Sequence, residues 1–162
     1  LMVARRMFEF RFPETDVSEK SLQELMGMEG YRVRENYQTL ANKYKVRWDG
    51  REILDGNISD SSPINRSMTI TNSLMYGLVS SVIHGLGYSH HIGFIHSGSP
   101  LPFVYDIADL YKSRYCTELA FSVTGKLNGQ YDHEYLISEF KKEVIKNSLI
   151  PVMVKDLGRI MK

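Results

Sequence analysis

The sequence predicts an all-α protein, an irregular helical bundle of about six to eight helices joined by long loops. Apolar residues recur at intervals of three and four positions, which is the spacing of one helix face. Sustained alternation of apolar and polar residues, the pattern of a half-buried strand, does not occur. With 162 residues and 43% hydrophobic content, the chain can bury a sizeable core. We therefore expect one helical domain over residues 1–162.

The first two helical segments are marked by their end signals. The stretch LMVARRMFEFRF has the character of a helix end that Pro13 stops. It shows no start signal, which suggests a fragment whose natural N-terminal part is absent. Ser21 and Glu24 then match the S-x-x-E capping box, so we predict a long helix over residues 21–45.

The middle of the chain predicts a linker and a second long helix. Residues 46–63 are rich in Gly, Asp and Ser, which is typical of a linker. Residues 64–87 place apolar side chains at helical spacing, and Gly85 or Gly87 supplies the stop signal. The pattern therefore indicates a helix of similar length to the first.

The third part of the chain combines a loop with a helix that carries Asp106 and Asp109. The loop HIGFIHSGSP, rich in glycine, proline and histidine, leads into a helix that begins near Pro102 and extends to Tyr115 or beyond. One or two further helices complete the chain. No internal repeat or low-complexity segment interrupts this order.

Composition excludes several classes of protein. Cys116 is the single cysteine, so no internal disulfide can form and a cytoplasmic location is the default expectation. Cys116 also has little support as a nucleophile. No apolar run approaches the roughly 20 residues that span a bilayer, so we expect no membrane partner. The net charge of +1 neither favours nor excludes nucleic acid.

Glu29 lies within the apolar face of the first long helix when that helix is drawn at about 100° per residue. Burial of an isolated carboxylate is costly, so Glu29 must be paired, protonated or bound to a cation. A buried pair with an arginine such as Arg5, Arg6 or Arg66 meets this requirement, and so does a metal ion. The apolar residues of that face are Leu22, Leu25, Met26, Val33, Tyr37, Leu40 and Tyr44.

Asp106 and Asp109 are three residues apart on one helix face, and His96 precedes them in the loop. With Glu29 they suit Mg²⁺ or Mn²⁺ acting on a phosphodiester. Zinc is disfavoured because Cys116 has no partner at a ligand-like spacing. Two alternatives stay open. Acids near a helix start also interact favourably with the helix dipole, and a lone loop histidine is often a hydrogen-bonded turn residue.

Four stretches carry a resemblance to a known family: RRMFEFRF, GMEGYRVRENY, INRSMTITNSLMYGLVSSVIHGLGY and IGFIHSGSPLPFVYDIADLYK. They closely resemble the C-terminal helical domain of the CRISPR-associated adaptation integrase, the Cas-one family, and its type I-E branch in particular. The resemblance covers nearly the whole chain, and it implies the helical fold of that domain.

The resemblance also implies a site and a reaction. The family holds a metal ion with a glutamate, a histidine and an aspartate, which match Glu29, His96 and Asp109, and Asp106 matches a neighbouring acid needed for activity. The family joins the 3′-OH ends of captured DNA to the two strands of a CRISPR repeat by direct transesterification, and it also acts as a metal-dependent nuclease. Its full-length members form homodimers and dock on a Cas-two partner through a β-rich N-terminal domain, which we expect to be absent from residues 1–162.

Basic and aromatic residues in neighbouring segments predict a DNA-binding surface. Arg32, Arg34, Arg51, Tyr76 and Lys112 lie in segments that we expect to border one cleft, where they would contact DNA phosphates. The alternative is that these charges belong to solvated helix faces.

Three functions remain as hypotheses. The lead hypothesis is the catalytic domain of a metal-dependent DNA integrase and nuclease. The first alternative is a catalytically silent DNA-binding or assembly module whose acids only stabilise helices. The second is a helical metallohydrolase acting on small phosphates, which the number of arginines disfavours.

Overall fold

The computed structural model describes residues 2–52 and 58–162, and within them it contains helices and no strand. The all-α prediction is therefore confirmed. A 3₁₀ turn lies at Ile58–Asp60, and a π-helical turn at Ser113–Thr117 connects two of the helices. The α-helices are α1 (Met2–Arg11), α2 (Leu22–Tyr44), α3 (Pro63–Gly85), α4 (Pro102–Lys112), α5 (Glu118–Lys126), α6 (His133–Lys146) and α7 (Leu149–Ile160).

The predicted start of α2 is confirmed by a reciprocal capping box. The backbone N–H of Ser21 donates to Glu24 Oε2 at 2.8 Å, and the Glu24 N–H donates back to Ser21 Oγ at 3.3 Å. At the other end, Lys45 adopts a φ of 54° and the Val46 N–H bonds to the Ala41 carbonyl, so the helix closes as a Schellman motif.

Helix α3 also ends where the sequence predicts. Gly87 adopts a φ of 76°, its N–H bonds to the His84 carbonyl, and the Tyr88 N–H bonds to the Ile83 carbonyl. These two bonds form a Schellman motif, and glycine tolerates the positive φ that the motif requires. Gly87 therefore ends the helix and turns the chain towards the loop HIGFIHSGSP at residues 91–100, hereafter the histidine loop.

The chain divides into two compact units, and α2, α3 and α4 contribute residues to both. The first unit contains residues 2–32, 76–111 and 148–162. One part of its core consists of Phe8, Phe12, Val17 and Leu25, with Leu22, Met28 and Ile95 packed against them. The prediction of a single domain over residues 1–162 is not tested by this division and stays a prediction.

The second unit contains residues 33–75 and 112–147, apart from the undescribed residues 53–57. Trp48 packs against Tyr37 and Phe121, with ring centroids 5.0 Å and 5.5 Å away. The first part of the predicted linker is thus packed into a core, and residues 53–57 of that linker lie outside the described residues. The buried members of this core are Leu40, Ala41, Val46, Ile64, Met68, Ala120 and Phe121.

The length and apolar character of the helices bear on whether any of them could span a bilayer. In the part of the chain that the structure describes, no helix combines the length and the apolar character needed to cross a membrane.

Candidate active site

Asp106 lies on α4 with its side chain fully buried, and it holds the histidine loop in place. Its Oδ2 accepts the backbone N–H groups of Phe94 at 2.6 Å and Ile95 at 3.1 Å. Its Oδ1 accepts the backbone N–H of His96 at 2.9 Å and the ring Nδ1–H at 2.7 Å. One carboxylate therefore satisfies four donors from three consecutive loop residues.

These bonds decide the protonation state of Asp106. Burial alone would raise the pKa of this carboxyl group. The hydrogen bond from His96 and the three backbone N–H groups outweigh burial, so the pKa of Asp106 lies below its usual range. Asp106 is therefore ionised at neutral pH, and its two oxygens are occupied by the loop.

Gly93 allows the loop to fold this tightly. A Cβ atom at this position would lie 2.2 Å from the His96 carbonyl oxygen and 2.5 Å from Pro102 Cβ. Both distances are far below van der Waals contact, so only glycine fits without a backbone shift. Gly93 thus lets the loop fold back against Pro102 at the start of α4.

His96 is oriented by Asp106 towards the second acid of α4. Because Nδ1 carries the proton donated to Asp106, the lone pair of the neutral ring lies on Nε2. Nε2 is 3.7 Å from Asp109 Oδ2, and the His96 side chain is 39% exposed. A carboxylate that fixes the tautomer and the orientation of a histidine is a common arrangement behind metal-ligating histidines.

Glu29 is paired with an arginine that the sequence analysis did not name. Arg11 Nη1 lies 2.5 Å from Glu29 Oε1, whose side chain is 24% exposed, and Arg11 Nη2 lies 3.6 Å from Asp109 Oδ2. The guanidinium also donates to the backbone carbonyl of Asp106 at 3.2 Å. Arg11 therefore brings together Glu29, Asp109 and the α4 backbone within the first unit.

The three arginines proposed as partners of Glu29 have other contacts, so that part of the alternative is wrong. Arg5 donates to the carbonyl groups of Val17 and Ser18, Arg6 to that of Ile160, and Arg66 to that of Ser61. The apolar face assigned to α2 is also incomplete, because the Met26 side chain is exposed. Helical spacing gives the direction of a side chain but not the end of the surface that covers it.

The donor set fits a hard divalent cation. Glutamate and aspartate oxygens suit Mg²⁺ or Mn²⁺. Adjacent octahedral ligands at about 2.0–2.2 Å from one cation lie roughly 3 Å apart, so the 3.7 Å between His96 Nε2 and Asp109 Oδ2 would shorten on binding. Yet within residues 2–52 and 58–162 no group of three or more His, Cys, Asp or Glu side chains is arranged to hold a metal ion. The metal site formed by Glu29, His96 and Asp109 stays a prediction.

An aromatic contact connects Tyr76 to the candidate site. Its ring packs edge-on against Tyr105, with centroids 4.9 Å apart, and the Tyr105 ring lies 6.1 Å from that of His96. Tyr105 was not identified from the sequence, although it immediately precedes Asp106. Arg11 was not identified either. The only available signal was its position at the end of the RRMFEFRF stretch.

The remaining DNA-binding candidates have different surroundings. In the first unit, the Arg32 guanidinium stacks over Phe12 at 4.3 Å and remains exposed. In the second unit, Arg34 is exposed and Lys112 is half-buried. The prediction that these residues border one cleft is untested.

Arg51, also in the second unit, is engaged by α3. It donates to Asn65 Oδ1 at 2.7 Å and to Thr69 Oγ1 at 2.9 Å. These bonds hold the segment after Trp48 against the helix, so Arg51 has a structural role whether or not it also contacts DNA.

Cys116 is fully buried and is not exposed to solvent. Its Sγ lies 3.4 Å from the Thr71 carbonyl, and burial raises the pKa of the thiol to about 12. A thiol that stays protonated at neutral pH is a poor nucleophile, which agrees with the expectation from the sequence.

Comparisons with known proteins place these features in context. The family described as "CRISPR associated protein Cas1" matches residues 9–146. The "CRISPR-associated endonuclease Cas1 2" of Chlorobaculum tepidum is 47% identical over 161 residues, which cover 99% of this chain and 54% of that protein. The "CRISPR-associated endonuclease Cas1" of Escherichia coli K12 is 36% identical over 156 residues, covering 94% and 51%. The chain thus spans about half the length of these curated relatives.

Solved structures give the same result. The chain matches the "Crystal structure of TtCas1-DNA complex" with a TM-score of 0.90 and 34% identity, over 99% of this chain and 59% of that one. It matches the "Crystal structure of TtCas1" with a TM-score of 0.84 at the same identity.

Proposed function

This chain belongs to the CRISPR-associated Cas1 family, and from that premise we propose that it is the metal-dependent nuclease and integrase part of such a protein. Its relatives are named endonucleases, and one structure that it resembles is a complex with DNA, which supports DNA as the substrate. The homodimer and the Cas-two partner implied by the family resemblance belong to the same proposal.

One observation supports the proposal most directly. His96, Asp109 and Glu29 come from a loop and two helices, yet all three lie within one ion-pair and hydrogen-bond network in the first unit. The carboxylates of this network are the ligands that suit Mg²⁺ and Mn²⁺, the ions that we propose act here on a phosphodiester.

In this proposal the residues of the site have three distinct roles. Asp106 holds the loop and the tautomer of His96, so that Nε2 is presented beside Asp109. Glu29, His96 and Asp109 would hold Mg²⁺ or Mn²⁺, which supplies Lewis-acid stabilisation of negative charge on the attacked phosphate. Tyr76 and Tyr105 provide aromatic rings beside this position, suited to stacking on unpaired bases.

The proposed reaction is a transesterification. The oxygen of a 3′-OH forms a bond to phosphorus in the target strand, and the bond from that phosphorus to its bridging 3′ oxygen breaks. The departing oxygen takes up one proton and the attacking hydroxyl loses one. In the nuclease reaction, water replaces the 3′-OH.

A catalytically silent DNA-binding or assembly module is the second candidate, and the Arg11–Glu29 pair favours it. Because a buried arginine neutralises Glu29, this acid can have a structural role without binding a metal ion. The two candidates differ in their response to cations, because a silent module has no reason to bind Mn²⁺.

The experiment combines melting with a DNA assay. Melting of the wild-type chain is measured in EDTA and in Mn²⁺, and we expect the cation to raise the midpoint. Branched DNA is then incubated with the chain and Mn²⁺, and cleaved and joined strands are resolved on a denaturing gel. We expect His96→Ala and Asp109→Asn to lose roughly a hundredfold in rate or more, and Glu139→Gln, at an acid of α6 that is paired with Lys142, to keep full activity.

The outcomes separate the candidates. An unchanged midpoint with Mn²⁺ and DNA binding without cleavage would support the silent module. Turnover of a free nucleotide in place of branched DNA would support a small-phosphate hydrolase. Equal rates for Asp109→Asn and Glu139→Gln would remove Asp109 from the proposed site.

A further inference from the structure

Arg11 is the last residue of α1, and its side chain is only 6% exposed. Its guanidinium contacts two of the three proposed metal ligands through separate nitrogens, Nη1 to Glu29 and Nη2 to Asp109. The aromatic ring of Phe8 lies 5.3 Å from the guanidinium carbon. A single cation of the protein therefore already stands between the carboxylates that a divalent cation would need.

The charges do not balance in this arrangement. The guanidinium brings one positive charge to two carboxylates, whereas Mg²⁺ or Mn²⁺ would bring two. Arginine cannot give up its proton, so it cannot yield the site by becoming neutral. For Glu29 Oε1 to reach a cation shared with Asp109 and His96, the Arg11 Nη1 contact to that oxygen must lengthen or break.

A second, independent observation concerns the rest of the same side chain. Arg11 Nε is buried and has no hydrogen-bond partner among residues 2–52 and 58–162. An unsatisfied buried donor costs free energy, so the contacts of Nη1 and Nη2 to the two carboxylates and to the Asp106 carbonyl hold the guanidinium in place against that cost.

We propose that Arg11 is an internal competitor of the divalent cation. In the metal-free chain its guanidinium holds Glu29 and Asp109 together, and cation binding displaces Nη1 from Glu29. Arg11 thereby sets the cation concentration at which the site fills, and it keeps the acids neutralised below that concentration. This inference rests on the proposed metal site, and it adds to that site a residue that opposes metal binding.

The first test measures Mn²⁺ affinity, by following the signal of free Mn²⁺ in electron paramagnetic resonance. Wild-type chain is compared with Arg11→Met, which keeps an apolar stem near Phe8 and removes the charge. The matched control is Arg5→Met, because Arg5 lies on the same helix and donates to the backbone carbonyls of Val17 and Ser18. We expect Arg11→Met to bind Mn²⁺ at least about tenfold more tightly, as for the loss of one competing charge-assisted hydrogen bond, and Arg5→Met to match the wild type.

The second test detects the displacement itself. Removal of a positive charge could tighten cation binding without any movement of the guanidinium, so the wild-type chain is titrated with Mg²⁺ while the Arg11 Nε–H resonance is followed by NMR. We expect this resonance to shift in proportion to site occupancy, while that of Arg5 stays constant. A resonance that is unchanged at saturating Mg²⁺ would overturn the displacement.

The remaining outcomes distinguish this inference from the proposed function. Equal affinity of the wild type and Arg11→Met would overturn the competition and leave the metal site intact. Absence of Mn²⁺ binding in both proteins would overturn the metal site and the competition with it. Binding by Arg11→Met alone would support both. If Arg11→Met does not fold, Arg11→Lys, which keeps a charge but loses the two-pronged contact, should give an intermediate affinity, and wild-type affinity in that variant would count against the inference.

Discussion

Replacing Asp106 with asparagine keeps the size of the side chain but changes its hydrogen-bonding groups. The carboxylate accepts four hydrogen bonds, from three backbone N–H groups and the His96 ring. The amide has one oxygen, which can accept two of them, and an NH₂ group that would face the other two donors. Two buried donors at about 1–3 kcal/mol each give an expected loss of roughly 2–6 kcal/mol in the free energy of unfolding.

The loss is measured by urea unfolding in EDTA, followed by circular dichroism. The matched control is Asp132→Asn, because Asp132 is an exposed N-cap of α6 and asparagine caps a helix equally well. We expect the control to remain within about 0.5 kcal/mol of the wild type. A loss below about 1 kcal/mol for Asp106→Asn would contradict the assignment of Asp106 as the anchor of the loop.

The same comparison has a defined pH dependence. Because the pKa of Asp106 in the folded chain lies below its usual value, its stabilisation is fully present above the unfolded pKa of about 4. It is lost as the pH falls through the lower, folded pKa. The difference between the wild type and Asp106→Asn should therefore shrink as the pH falls below about 4. A difference that grows as the pH falls below about 4 would contradict this sign.

Three further predictions use other parts of the chain. Gly93→Ala should lower the free energy of unfolding by about 1–3 kcal/mol, because its Cβ would overlap the loop backbone. Gly27→Ala, in an open stretch of α2, should raise the free energy of unfolding by about 0.5–1 kcal/mol. Urea unfolding of both variants checks the contrast. Cys116 should resist a thiol-reactive disulfide in the native chain and react in denaturant, and rapid native labelling would contradict its burial. Arg34→Gln should weaken DNA binding and reduce its salt slope by about one, while Lys142→Gln, paired with a neighbouring acid, should do neither.

Local signals in the sequence predicted the helices well. The Ser21 capping box and the Gly87 stop depend on residues within one or two turns of one another, so their spacing is visible in the sequence. The linker was predicted less well. Its glycine and acidic residues outweighed Trp48 in the composition, but a single tryptophan buries enough apolar surface to pack its segment into the core.

The candidate site was only partly accessible from the sequence. The spacing of Asp106 and Asp109 indicated a shared helix face, but it did not distinguish the acid that anchors a loop from the one that faces His96. That distinction depends on backbone donors at residues 94–96, which a sequence pattern does not reveal. The pairing of Arg11 with Glu29 also depends on tertiary packing, since nothing in helical spacing ranks one arginine of α1 above another.

Synthesis of the chain imposes an order on the contacts of Arg11. Its partner Glu29 follows after 18 residues, whereas the Asp106 carbonyl that it binds follows after 95. At about 5–20 residues per second, a ribosome needs roughly 5–20 s to cover that interval. During that time Arg11 and Glu29 can neutralise each other, before α4 exists to complete the network. Glu29 can therefore pair with Arg11 before the rest of its site has been synthesised.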